Sequence, residues 1–335
     1  MSTQLGVSTA TVSNAFNRPD QLSAKLRERI LREAAELGYY GPNLAARTLR
    51  RGQSEVIGVM MLDSLKYSLS DPVASQLLQG IAEVLVERNK HMLLLSSHLD
   101  ANQQRGAESL PDGFILYGAV NQGSFEYIMK TGKPVVVVDF EYNQTASVNI
   151  NNEGGAYQVA KLALERKNAQ VAVLGLRLVE TDRVCRLVNA DLEVESQEIS
   201  RSRLEGYLRA ADEKDVNIAA QSIWHVPVNE SEFAEIAARQ ALTSSPKPNV
   251  LLCMSDIIAL SAMRAAKELG LKVPEDVSIT GFDDIPESSR SEPTLTTVCQ
   301  QSIEKGRVAA RMLLDGDHKE NVVLETRLVQ RGSTL

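Results

Sequence analysis

The sequence predicts an α/β protein built from a small all-α headpiece and two doubly wound parallel-sheet lobes. Three observations carry this reading. Residues 5–38 show helical periodicity and no strand pattern. From Glu55 onward, apolar runs of about six residues alternate with helical stretches of 12–16 residues. The alternation occurs twice, in half-sets of four to five strands, and 335 residues suit a small module plus a large two-lobed body.

In the headpiece, Ser8 is a good N-cap for a helix running from Thr9 to Phe16, with Val12 and Phe16 on one face. Asn17-Arg18-Pro19-Asp20 is a turn. Ser23 caps a longer helix whose apolar stripe is Leu26, Ile30, Ala34 and Leu37, and Gly38 stops it. Pro42 breaks the chain, Asn43 can cap a short stretch to Arg51, and Gly52-Gln53-Ser54 reads as a linker.

In the body, Val56–Leu62 is a near-continuous apolar run, as expected of a strand buried on both faces. A helix near 73–88 and strands at 92–96, 114–117 and 134–139 follow. The second half pairs helices 154–167, 203–213, 231–243 and 256–269 with strands 170–176, 223–226, 250–254 and 277–282. Ligands of such sheets sit beyond the carboxyl ends of the strands, which places a site in the cleft between facing lobes.

Composition narrows the function classes. Aromatics are 4% of the chain, too few for a surface that stacks single-stranded bases. No apolar run reaches the length of a membrane span, and no basic-then-apolar leader opens the chain. Cys185, Cys253 and Cys299 are too dispersed for a disulfide framework or a metal motif and read as small buried hydrophobes. These features together predict a cytoplasmic protein that does not meet the membrane. The net charge of −7 is divided unevenly: residues 1–52 carry eight basic and four acidic side chains, net +4, which leaves −11 for the remainder. A basic head on an acidic body presents one end to phosphate.

The helix Ser8-Thr9-Ala10-Thr11-Val12-Ser13-Asn14 has a polar face of hydroxyls and one amide. Its small side chains would let it enter a major groove, although a capped surface helix would look the same. The pattern Gly6-Val7-Ser8, Thr11-Val12-Ser13, Asn17, Leu22-Ser23 and Glu36-Leu37-Gly38-Tyr39 resembles the helix-turn-helix headpiece of the lactose/galactose repressor family. The resemblance continues in order through Pro42-Asn43, Ala46-Arg47, Leu49, Ile57-Gly58-Val59, Pro111-Asp112-Gly113, Ser255-Asp256, Gly281-Phe282-Asp283-Asp284 and Leu295-Thr296-Thr297-Val298. It implies a periplasmic-binding-protein-like body. The implied organisation is a headpiece over 1–42, a hinge helix and linker over 43–53, and an effector-binding and dimerisation body over 54–335. Lobe 1 would span 54–152 and 284–316, and lobe 2 would span 153–283 and 317–335.

On DNA, the resemblance assigns Thr9, Ala10 and Asn14 to base edges, with Gln21 as a further base candidate. It assigns Ser8, Thr11, Ser13, Asn17 and Ser23 to phosphates. Asn43, Ala46 and Leu49 belong to the hinge, whose leucine wedges into the minor groove. The family usually has Arg where this chain has Asn14; since Arg favours guanine and Asn adenine, a different half-site is expected. The family's first helix begins about eight residues before the position of Met1, so the resemblance also implies a truncated first helix.

In the cleft, the resemblance makes Arg203 and Asp256 the foremost effector contacts, followed by Asp139, then Asp71, Pro72 and Val73 in the first loop and Gln300 on the return segment. Plainer alternatives are an N-cap for Asp256 and a structural ion pair or cap for Asp139 and Arg203, and a purely structural Gln300 reads equally well. The stretch between Gly175 and Arg203 is longer than the family's usual loop, and forms either a rim to the cleft or a surface excursion. His98–Leu110 is shorter than usual.

No catalytic residue, metal site or cofactor is expected. His91, His98, His225 and His318 stand apart from any Cys, Ser or carboxylate motif. Gly154-Gly155 does not make a phosphate loop. Asp283-Asp284 reads as a chain crossing between lobes rather than a metal pair. The expected function is a ligand-responsive, sequence-specific transcription regulator, a repressor of sugar or related catabolic genes. Its partners would be a pseudo-palindromic double-stranded DNA operator, a sugar or sugar derivative, and a second copy in a homodimer or a tetramer built from two. The competing readings are a solute-binding protein without DNA function and, less well supported, a sugar-processing enzyme.

Overall fold

The computed structural model describes residues 2–39, 53–61, 63–96, 109–118, 122–193, 198–317 and 319–335. The expected hinge contacts Asn43, Ala46 and Leu49, the shortened 98–108 stretch, His98 and His318 fall outside these residues.

The headpiece consists of α1 (Ser2–Leu5), α2 (Thr9–Asn17), a short 3-10 turn (Pro19–Gln21) and α3 (Ala24–Glu36). Leu5, Val12, Ala15 and Ile30 form its buried centre, with Val7, Phe16, Leu22, Leu26 and Tyr39 packed around them. α1 is a single turn, yet it is tied down at both ends of its contact. Leu5 is buried, and its carbonyl accepts a hydrogen bond from the Arg29 guanidinium (2.9 Å). Arg27 reaches back in the same way to the Ala15 carbonyl at the buried side of α2 (3.0 Å).

Lobe 1 holds a six-stranded sheet. In chain order its elements are β1 (Val56–Met61), α4 (Leu65–Ser70), α5 (Pro72–Glu87), β2 (His91–Ser96), β3 (Gly113–Tyr117), α6 (Gln122–Lys130), β4 (Val135–Val138) and β5 (Ala146–Ile150). Lobe 2 continues with α7 (Asn152–Ala163), β6 (Val171–Leu176), β7 (Cys185–Arg186), α8 (Asn189–Leu192), α9 (Ile199–Asp212), β8 (Ile223–Val226), α10 (Ser231–Leu242), β9 (Val250–Cys253), α11 (Asp256–Glu268) and β10 (Ser278–Thr280). The chain closes with β11 (Thr297–Cys299), α12 (Ser302–Asp315), β12 (Asn321–Leu324) and β13 (Arg327–Val329).

The first sheet has the order β12-β5-β4-β3-β1-β2, all parallel, and the second β10-β9-β6-β8-β7, parallel except for the edge pair β7–β8. The central strands β1, β4, β8 and β9 are buried along their whole length, which explains their unbroken apolar runs. Helices cover both faces. In lobe 1, α5 and α12 cross backbone to backbone. A Cβ on Gly80 would meet the Ile303 carbonyl at 1.9 Å, and one on Gly306 the Leu77 carbonyl at 2.2 Å. Glycine is what allows this approach.

The lobe boundaries differ from expectation in two places. The segment 284–296 lies with lobe 2: Leu295 is part of its core, and Thr296 bridges Thr280 at the end of β10. Conversely, β12 joins the lobe 1 sheet as the partner of β5. The chain therefore crosses between lobes near residues 151, 300 and 325. The last two crossings are paired by β11 and β13 in a two-stranded antiparallel ribbon. Among the described residues, no helix is long and apolar enough to cross a membrane.

Candidate functional site: an interlobe polar chain and a helical DNA face

Both sheets direct the carboxyl ends of their strands toward the cleft. From lobe 1 come Asp63 after β1, Tyr117 at the end of β3, and Asp139 directly after β4, its backbone left-handed at φ 66°. Asp71 caps α5, with its carboxylate accepting from the Val73 and Ala74 amides (3.4 and 3.3 Å). Pro72 and Val73 are the first turn of that helix, so they contribute backbone and apolar surface to the same corner. From lobe 2 come Arg177 after β6 and Arg203 from α9. Asp283 stands on the strand of chain leaving β10, with φ 128°.

These groups make a continuous hydrogen-bonded chain across the crossings. Lys305, fully buried on α12, donates to both carboxylate oxygens of Asp139 (2.8 and 2.7 Å) and to Gln300 Oε1 (2.7 Å). Gln300 Nε2 donates to Asp283 (2.6 Å). Asp283 also faces the Arg203 guanidinium at 3.6 Å. Arg203 in turn donates to Asn152 Oδ1 (3.0 Å) and the Met254 carbonyl (2.6 Å) while stacking 3.7 Å above the Phe282 ring. Lobe 1 is thus joined to lobe 2 through Asp139, Lys305, Gln300, Asp283 and Arg203.

Burial shapes the electrostatics. It is the largest cause raising the Asp71 carboxyl, which the nearby Asp63 charge raises further, and it holds Asp283 well above the usual carboxylate range despite Arg203. Tyr117 feels Asp139, Asp71 and Asp283 together, and burial first and these charges second push its phenol upward. Its position marks the middle of the site. At the mouth of the cleft, Arg177 pairs with Asp63 (3.4 Å) and lies over the Tyr67 ring, whose hydroxyl is beside Asn229.

Of the residues expected in the cleft, Asp71, Asp139, Arg203 and Gln300 are brought together. Arg203 sits four residues into α9 rather than at its start, because the helix begins at Ile199. Asp256 has its carboxylate bonded apart from the polar chain. It is fully buried, and its carboxylate accepts from the Ile285 amide (2.9 Å), Ser288 Oγ (2.6 Å) and Thr297 Oγ1 (2.5 Å). It brackets the chain leaving lobe 2, and its backbone amide donates to Asp283 (3.4 Å). Lys305, Asp283 and Tyr117 were not singled out as contacts. The signal for Lys305 was present: it interrupts the core-facing stripe Ser302, Gly306, Ala309, Leu313 of α12.

The long stretch after Gly175 is partly rim and partly excursion. Its first loop is pinned from below by His225. The Leu178 and Val179 amides donate to Nδ1 (3.1 and 3.3 Å), and Nε2 lies 3.1 Å from the Thr181 carbonyl. This fixes the segment that carries Arg177. Beyond it, Cys185-Arg186 adds an edge strand to the second sheet, with Arg186 over the Trp224 ring at 4.6 Å.

On the headpiece, α2 turns Val12 and Ala15 inward and leaves Thr9 and Ala10 exposed, with Ser13 and Asn14 half-buried. Ser8 caps α2 by accepting from the Thr11 amide (3.0 Å), and its hydroxyl lies 2.8 Å from Thr11 Oγ1. Ser23 caps α3. Asn14 Nδ2 donates to Gln21 Oε1 (3.1 Å), which holds the two base-contact candidates side by side. Asn17 is the last residue of α2.

A small helix-turn-helix module joined to a two-lobed, cleft-bearing body defines a ligand-responsive DNA-binding regulator. Comparison with known proteins agrees. Residues 3–43 match the model of bacterial regulatory proteins of the lacI family, and residues 185–334 match the periplasmic binding protein-like domain. An HTH-type transcriptional regulator of Mycobacterium tuberculosis is 35% identical over 100% of this chain and 95% of its own length. The HTH-type transcriptional repressor CytR of Escherichia coli is 29% identical over 98% of this chain and 93% of its own. A structure of the lac repressor dimer bound to operator and the anti-inducer ONPF superposes with a TM-score of 0.76 at 24% identity, covering 100% of this chain and 97% of that one. The chain belongs to the lacI family and is a DNA-binding transcription regulator.

Proposed function

We propose that this protein is a cytoplasmic repressor that grips a pseudo-palindromic operator as a homodimer and responds to a small polyhydroxy effector held between its lobes. The observation that carries the reading is the polar chain across the crossings, which ties the relative placement of the lobes to the groups that would meet a ligand. Arg203 and Asp283 from lobe 2 and Asp71 from lobe 1 are the proposed contacts. Asp139 and Gln300 act beside them, oriented by Lys305. Such groups give directed, charge-assisted hydrogen bonds to hydroxyls. A ligand that favours one lobe arrangement biases the headpieces, which a dimer presents to two half-sites. Solved lacI-family relatives holding cellobiose and ribose support a sugar-like effector.

On DNA, α2 enters the major groove with Thr9, Ala10 and Asn14 toward base edges and Gln21 alongside. Ser8, Thr11, Ser13, Asn17 and Ser23 serve phosphates, and Asn43, Ala46 and Leu49 serve the minor groove.

The test is selection of bound duplexes from a random library by the full-length protein, followed by titration of the winner at several salt concentrations with and without candidate sugars. The expected result is a two-fold-symmetric site, a steep salt dependence, and a sugar-dependent change in affinity. Binding without sequence preference at every salt concentration overturns the regulator reading in favour of simple solute capture.

A further inference from the structure

Most cations of the cleft are already matched before any ligand arrives. Among the described residues, three of its cations are each paired with a carboxylate, Lys305 with Asp139, Arg203 with Asp283, and Arg177 with Asp63, while a fourth, the buried Arg201, donates to the Leu178 carbonyl (3.2 Å). Asp71 is left over, with no cationic side chain among the described residues hydrogen-bonded to it and only 8% exposure. Helix N-termini are the other common anion receptors. Those of α5, α11 and α7 are filled from within. The start of α5 is occupied by the Asp71 carboxylate itself. At the start of α11, the Ser255 hydroxyl takes the Ile258 amide (3.1 Å), and Asp283 takes the Asp256 amide (3.4 Å). At the start of α7, Asn151 takes the Gly154 amide (2.8 Å).

We infer that the cleft admits only ligands without negative charge: a neutral polyol or unmodified sugar whose hydroxyls donate to Asp71 from lobe 1 and Asp283 from lobe 2, with phosphorylated or carboxylated counterparts excluded. This rests on the effector reading given above. An anion would have to break the buried Lys305 or Arg203 pair, the part-exposed Arg177 pair at the mouth, or the Arg201 bond to the Leu178 carbonyl to find a cation, and it would then face the surplus Asp71 charge. Hydroxyl donors meet the opposite situation. They satisfy two carboxylates from opposite lobes at once, which favours the closed arrangement. Asp71 is therefore the specificity-determining residue: it rejects anions both by its own charge and by occupying the helix terminus that could have received one.

The experiment uses the full-length protein and matched pairs of probes: ribose with ribose 5-phosphate, glucose with glucose 6-phosphate, and cellobiose with cellobionate. Calorimetric titration and thermal melting are run in a background of inorganic phosphate equimolar with the sugar phosphate, so that anion binding at the DNA face cancels. The expected result is that, in any pair that binds, the neutral member is at least about 100-fold tighter, the order of one unscreened like-charge contact in a partly buried site. Asp71→Asn keeps an oxygen to cap α5 and should narrow that ratio by tenfold or more. An anionic member that binds as tightly as its neutral partner, or a ratio unmoved in Asp71→Asn, overturns the inference and leaves the effector reading standing. If no probe, neutral or anionic, binds or alters operator affinity, the effector reading fails and the inference falls with it.

Discussion

Replacing Asp256 distinguishes a structural bracket from a ligand contact. Its carboxylate holds three buried donors, from Ile285, Ser288 and Thr297. Truncation to Ala strands all three, at about 1–3 kcal/mol each. An opposing effect comes from the charge. Burial, the largest cause, pushes the carboxyl from 3.8 to about 6, so holding it ionised at neutral pH costs the native state about 3 kcal/mol. The balance for Asp256→Ala at pH 8 is a loss of roughly 3 kcal/mol. Asp256→Asn behaves differently. Its amide oxygen still accepts from Ile285 and Ser288, its NH₂ can donate to Thr297 Oγ1, and the buried charge is gone. It should therefore match or exceed the wild type at pH 8. The sign with pH is fixed by the direction of the shift. A carboxyl whose folded pKa is raised contributes stability that is fully present below its unfolded pKa near 4 and is lost as pH rises through about 6. The advantage of Asp256→Asn should accordingly be absent near pH 4 and grow up to about pH 7. The assay is urea unfolding of the full chain, followed by Trp224, the single tryptophan, which is buried in the lobe 2 core. If Asp256→Ala stays within about 1 kcal/mol of the wild type yet loses sugar binding, the bracket assignment is wrong and Asp256 is a contact.

Three further outcomes follow from the same structure. Lys305→Met leaves the buried Asp139 carboxylate without its cation and should destabilise lobe 1 by about 3–5 kcal/mol, while the double variant Lys305→Met with Asp139→Leu recovers most of that loss; additive losses in a denaturation cycle would show that the two do not act as a pair. Gly306→Ala, normally worth up to about 1 kcal/mol of helix stability, should instead lower the melting temperature here because its Cβ would meet the Leu77 carbonyl at 2.2 Å; an unchanged or raised melting temperature contradicts the close crossing of α5 and α12. Asn14→Ala should relax base preference at a single operator position by about 1–3 kcal/mol and free Gln21 from its hydrogen bond, and an equal loss on every sequence would contradict a role at a base edge.

Much of the fold was legible because parallel strands buried on both faces must be apolar throughout, as β1, β4 and β9 are. Of the strands that escaped notice, β7, β11 and β13 are only two or three residues long, and β5 and β12 lie toward one edge of the first sheet, where polar residues interrupt the run. In β5 and β12, Ser147 donates to Asn321 (3.1 Å) and Asn149 to Ser147 (3.1 Å), so side chains that read as loop form a polar ladder. The placement of β12 in lobe 1 instead of lobe 2 has the same origin, since nothing local in Asn321–Leu324 says which sheet it will extend.

The site divides along a similar line. Arg203, Asp139 and Gln300 could be located because each sits near a strand end or on a return segment, where an α/β cleft must be. Asp256 occupies an equally suggestive place, after β9 and at the first turn of α11. Its partners, however, arrive 29 to 41 residues later in the chain and turn it inward. A residue that starts a helix after a strand can face the cleft or clamp the chain that leaves the lobe, and only the path of that later chain decides. The converse holds for Lys305. A lysine on a core stripe is costly unless a carboxylate meets it, and its partner Asp139 lies 166 residues earlier. The cost makes the pair informative. A buried ion pair contributes little net stability compared with an apolar packing of the same volume. What this one does contribute is direction: it fixes Gln300, where lobe 2 passes back into lobe 1, and through Gln300 it reaches Asp283 on lobe 2. A polar chain at that point, in place of an apolar one, ties the lobes together through directed hydrogen bonds, which the proposed ligand would join.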